Sequence, residues 1–89
     1  MNHGWTRERE HRAIDLLGDV PDYSSWEEIE TACRDELIRR GGGEYSERYY
    51  IDNPKVHIGC SVGDQAKNEW WRPTIAEAML AALEDQDTQ

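Results

Sequence analysis

No stretch of this chain is long and apolar enough to cross a bilayer, and Met1, Asn2, His3, Gly4 and Trp5 open it without the basic residues and apolar run of a signal peptide. A soluble, cytoplasmic protein is expected. Cysteine is scarce: Cys33 and Cys60 give neither a disulfide framework nor a zinc-ligand spacing. Both fall on the apolar faces of expected elements, which leaves a bridge open but favours buried, reduced thiols in an intracellular chain. Catalytic motifs are missing as well. There is no Gly-x-Ser-x-Gly loop and no nucleophile, base and orienting acid at recognisable spacing, so no catalytic residues are assigned and no enzyme is expected. Gly41, Gly42 and Gly43 follow a helix pattern and have no Lys-Ser or Lys-Thr beside them, so they are read as a helix stop rather than a phosphate loop.

Positive charge is short too. The 89 residues carry 10 Lys and Arg against 19 Asp and Glu, a formal net charge of -9. The deficit is concentrated: Asp15, Asp19, Asp22, Glu27, Glu28, Glu30, Asp35 and Glu36 face only Arg34 between positions 15 and 36. Such a surface repels a phosphate backbone, which argues against direct nucleic-acid binding, and attracts basic proteins, including those that handle nucleic acids. The same charges also serve solubility and helix capping.

What is present is periodicity. Hydrophobic content is only 37% and mean hydropathy -0.94, yet the apolar residues recur at helix and strand spacings, which points to one small folded domain over residues 1–89. A first helix is expected over 6–17, with Thr6 as N-cap, Ala13, Ile14 and Leu17 on one side, and Gly18 as stop. Pro21 marks a connector. A second helix, over 25–40, opens with the Ser25 and Glu28 capping box and carries Trp26, Ile29, Cys33 and Leu37 as its stripe. Asp35 with Arg39, and Glu36 with Arg40, sit one turn apart.

Three strands follow, over 45–51, 56–62 and 66–71. A turn at Asp52, Asn53, Pro54 and Lys55 pairs Ile51 with Val56 and Tyr49 with Ile58, which brings both apolar sets to one face. For the second hairpin, a two-residue turn would bury Lys67 and Glu69. A three-residue loop at Gly63, Asp64 and Gln65 instead pairs Val62 with Ala66 and Ile58 with Trp70, and is preferred. A last helix over 74–84 starts at Thr74, with Glu77 at the capping-box position and a stripe of Ile75, Met79, Ala82 and Leu83; Glu84 to Gln89 is expected to fray. The fold class is therefore α+β, a three-stranded antiparallel meander with helices in the order α-α-β-β-β-α.

These registers place Tyr50, His57 and Trp71 in one row on the face away from the core, an aromatic surface suited to stacking a base, a sugar or a guanidinium. Either it is a binding face or the first helix, through Trp5, Ile14 or Leu17, covers it. The next row joins Arg48 to Glu69 across Gly59. His57 and Cys60 point to opposite faces, and His3 and His11 have no third ligand nearby, so no metal or other cofactor is expected.

From Ser25 to Glu84 the order of elements resembles the double-stranded RNA-binding domain. The lysine-rich start of that family's last helix is replaced by Arg72, Pro73, Thr74, Ile75, Ala76 and Glu77, so RNA binding is not implied. The run from Trp70 through Arg72, Thr74 and Ala76 to Leu83 resembles the close of small phage-encoded αβ sandwich proteins, which end in a Thr-initiated, alanine-rich helix after an aromatic strand. That resemblance implies a phage protein in a host cytoplasm that inhibits a host nucleic-acid-handling protein, as anti-CRISPR proteins do. The partner-binding residues expected are Asp19, Asp22, Glu27, Glu28, Glu30 and Asp35 on the acidic surface, with Tyr50, His57 and Trp71 on the sheet. The alternative is an assembly module, monomer or homodimer, that associates through the aromatic face.

Overall fold

The computed structural model describes residues 3–21, 25–52, 55–63 and 69–87. Helix α1 (Arg7–Leu17) starts where the Thr6 hydroxyl accepts the Arg9 amide at 3.2 Å and ends at Gly18, whose φ of 88° lets its own amide reach the Ile14 carbonyl at 2.9 Å. Helix α2 (Trp26–Arg40) has both arms of its capping box: Glu28 donates its amide to the Ser25 hydroxyl, and the Glu28 carboxylate accepts the Ser25 amide at 3.3 Å. Strands β1 (Tyr45–Asp52), β2 (Lys55–Val62) and β3 (Glu69–Arg72) form one antiparallel sheet in the order β1-β2-β3. Helix α3 (Ile75–Asp87) closes the chain, with the Thr74 hydroxyl accepting the Glu77 amide at 3.4 Å. The protein is α+β in the expected element order.

All three helices lie to one side of the sheet. Helix α3 packs on β2 and β3, α2 packs on α3 and β2, and α1 rests on α2 and α3 without a substantial contact to the strands. The core between them holds Ile29, Cys33 and Leu37 from α2, Ile58, Cys60 and Val62 from β2, and Met79, Ala82 and Leu83 from α3. Burying one such Leu, Ile or Met side chain stabilises by about 1.5–3 kcal/mol, so a handful of them decides whether a domain of this size folds. Trp5 and Ile14 close the helical side. The first helix therefore does not cover the aromatic row, and the outer sheet face carries no helix among the described residues.

Three expectations are corrected. The β1–β2 register is the expected one, with Tyr49 opposite Ile58 and Ile51 opposite Val56. The β2–β3 register is not: Ile58 pairs with Arg72, Gly59 with Trp71 and Cys60 with Trp70. The expected loop residues Asp64 and Gln65, and the expected strand residues Ala66 and Lys67, lie outside the described residues. A slip of two positions preserves which face each residue occupies, so the expected core face survives. It is favoured because it lays the Trp71 indole over Gly59, where an added Cβ would stand 2.7 Å from the ring. It also sets Trp70 beside Cys60, its indole N–H on the Asp85 carboxylate.

The second correction concerns the end of the chain. Glu84 and Asp85 do not fray, because the helix continues to Asp87 while Arg12 pairs with Glu84 and Trp70 with Asp85. Third, Tyr49 shares the helix-facing side of the sheet yet is 61% exposed, because β1 is the edge strand and α2 stands over β2.

Candidate functional site

The acidic residues separate into two sets. Glu27, Glu28 and Asp35 are exposed and line one strip of α2 with Thr31 and the half-buried Ala32, as their spacing of one and two turns dictates. The nearest arginines turn elsewhere: Arg34 to Glu30 and Glu47, Arg39 and Arg40 to Glu36. The expected pair of Asp35 with Arg39 is thus replaced by Glu36 with Arg39, while Glu36 with Arg40 forms at 3.0 Å. Hydrogen bonds from Arg39, with Arg40 beside it, hold the Glu36 carboxyl below its ordinary range. Asp19 is exposed on the connector after α1, and Asp22 lies outside the described residues.

Glu30 does not belong to that strip. It is half-buried on the other side of α2, where its Oε1 accepts the Trp5 indole N–H at 3.2 Å and its Oε2 stands 3.7 Å from Arg34. Arg34 reaches onward to Glu47 of β1 in a two-pronged bond of 2.8 and 3.2 Å, and that carboxylate raises the pKa of the guanidinium further. Tyr45 donates its hydroxyl to the same Glu47 at 2.6 Å. Burial, then that bond to Glu47, push the Tyr45 hydroxyl well above the ordinary range.

Beside this chain of charges lies a groove of about 210 Å³, lined by His3, Trp26, Glu30, Arg34, Glu47, Tyr49, Ile58 and Ile75. His3 stacks on Trp26, ring centroids 3.9 Å apart and planes 12° off parallel, and its Nδ1 accepts the Trp5 amide at 2.9 Å. Sequence reasoning missed this groove. Its parts come from the N-terminal segment, α2, both strands of the first hairpin and the start of α3, and only the tertiary fold joins them. The one legible sign was the pair His3 and Trp5 ahead of a helix that needed no aromatics of its own.

On the outer sheet face, Trp71 lies in the row of Arg48 and Gly59, not in that of Tyr50 and His57. Tyr50 and His57 remain cross-strand partners in the β1–β2 register, but their side chains lie outside the described ones. The single row of three is thereby divided. Arg48 does meet Glu69, at 3.7 Å, although diagonally, since Glu69 pairs with Ser61. The Ser46 and Ser61 hydroxyls share a hydrogen bond of 2.6 Å on that row.

A larger groove of about 810 Å³ between α1 and α3 gathers Arg7, Arg9, Arg12 and Arg72 with Glu8, Glu77 and Glu84. Its charges largely neutralise one another through Arg9 with Glu77 at 2.8 Å and Arg12 with Glu84. Among the described residues, no group of three His, Cys, Asp or Glu side chains is placed to hold a metal ion, and no helix is long and apolar enough to cross a membrane. Cys33 and Cys60 are free and buried, and burial pushes both thiols up to about 12. No family, curated protein or solved structure matches this chain.

Proposed function

We propose that this protein is a non-enzymatic binding protein that occupies a basic surface of a partner through the exposed acidic strip of α2. The observation that carries the reading is that Glu27, Glu28 and Asp35 project together while the neighbouring arginines are engaged by Glu30, Glu36 and Glu47. Such a strip gathers negative charge along one helix face, and complementary charge speeds encounter and fixes orientation. The resemblance to phage sandwich proteins narrows the partner to a host nucleic-acid-handling protein, and the activity to inhibition of the anti-CRISPR kind.

The test is affinity capture from a nuclease-treated bacterial lysate at low and moderate salt, with the bound proteins identified by mass spectrometry. One basic complex, weakened by salt and lost with the triple reversal Glu27→Lys, Glu28→Lys and Asp35→Lys, is the expected result. Capture that the triple reversal leaves unchanged removes the acidic strip from the mechanism. A second reading, self-association through the outer sheet face, draws on the absence of a covering helix there among the described residues and on the half-buried Trp71 indole.

A further inference from the structure

The groove beside α2 differs from the acidic strip in being shaped as well as charged. The geometry points to this groove as the receptor for a single arginine side chain of a basic partner, an inference that rests on the binding-protein reading and names its point of recognition. Two carboxylates, Glu30 and Glu47, share one guanidinium, Arg34, so the groove keeps a negative balance. Both carboxylates are fixed in place from behind, Glu30 by the Trp5 indole and Glu47 by the Tyr45 hydroxyl. Glu30 Oε2 retains accepting capacity: Arg34 at 3.7 Å is an ion-pair neighbour and beyond hydrogen-bond range.

Aromatic faces complete the cation site. Tyr49 stands 61% exposed at the rim and offers its ring, while Trp26, one face of which is covered by the stacked His3, is half-buried in the wall. Cations are attracted to such faces, and a guanidinium, planar and weakly hydrated, stacks on them while its fork meets a carboxylate. Arg34 already displays that pairing with Glu47 inside the protein. Ile58 and Ile75 supply apolar lining for the methylene stem. The volume of about 210 Å³ falls below the roughly 300–1,000 Å³ of pockets that enclose whole small ligands, which fits one side chain rather than a metabolite.

The experiment is an NMR titration of the full 15N-labelled chain with the peptide acetyl-Gly-Arg-Gly-amide, beside its lysine and citrulline counterparts. A single side chain binds weakly, with Kd on the order of millimolar. Saturable shifts of the Trp5 and Trp26 indole N–H signals are expected, with those of Trp71 unmoved, weaker for lysine and lost for citrulline, which has no charge. Tyr49→Ala, an exposed position, should weaken binding about two- to fivefold, and Glu30→Gln should do so with the rest of the amide spectrum preserved.

No saturable shift at the groove, or equal binding of the citrulline peptide, overturns the proposal. So does capture of a salt-sensitive partner that is indifferent to both Tyr49→Ala and Glu30→Gln, a result that leaves the acidic strip in place. Saturable arginine binding at the groove, with capture unaffected by the triple reversal on α2, has the opposite meaning: the groove stands and the strip falls.

Discussion

Gly59 and Trp71 set the outer face of the sheet by a contact that admits no side chain between them. A Cβ on Gly59 would lie 2.7 Å from two atoms of the indole, and the contact is with a fused ring that cannot fold away as a flexible chain would. Gly59→Ala is expected to destabilise by about 1–3 kcal/mol, the usual cost of overpacking. Thermal unfolding followed by tryptophan fluorescence checks this, with Gly59→Val costing more. The cysteines make a second residue-scale case. The thiolate is the reacting species, and burial holds both thiols near 12, so Cys33 and Cys60 should resist iodoacetamide at pH 8 in the native state. Mass spectrometry should find two labels per chain only after denaturant is added. Rapid native labelling of Cys60, whose Sγ donates to the Ala78 carbonyl at 3.4 Å, would mean that β2 and α3 part readily.

At the scale of the element, the helices were legible because their signals are local. Thr6 and Gly18, Ser25 and Glu28, and Thr74 act within a turn of themselves, and each caps the helix it was expected to cap. The first hairpin was legible because the register expected of it brings both apolar sets to one face, although the turn residues Asn53 and Pro54 lie outside the described residues. The second was not, because two registers two residues apart place the same side chains on the same faces, and alternation cannot distinguish them. Only the fit of an indole over Gly59 does. The N-terminal segment was illegible for a related reason: Gly4, at a φ of 83°, takes its place against Thr74, and the His3 carbonyl accepts the Ala76 amide at 3.2 Å, contacts that span some seventy residues of sequence.

The last turn of α2 also carries a pH signature. Its partners lower the Glu36 carboxyl from an ordinary 4.5, so its contribution is fully present above that value and is lost as the pH falls through the lowered folded pKa. Glu36→Gln should cost about 0.3–0.5 kcal/mol at pH 7, the worth of a one-turn ion pair. Urea unfolding of both proteins should show that difference vanish at strongly acid pH, where the native carboxyl is protonated as well.

For the whole molecule, two tendencies compete at the outer face of the sheet. A face that no helix covers among the described residues, with a large indole on it, invites a second copy, whereas a formal charge of -9 on each copy opposes it. The polar pairs decide the balance. Arg48 with Glu69 and Ser46 with Ser61 cross the described part of that face, and Trp71 is half-covered already because its ring fills the space over Gly59. On that described part little apolar surface is left to offset repulsion, which at 0.1 M salt still acts over about 10 Å. Sedimentation equilibrium should therefore return the 10.4 kDa monomer at every concentration in low salt. If mass rises with concentration, and more steeply as salt screens the charge, and if Trp71→Ser returns the monomer, then the outer face is an assembly surface. In that case the acidity serves solubility, and the α2 strip loses its claim to be the principal site.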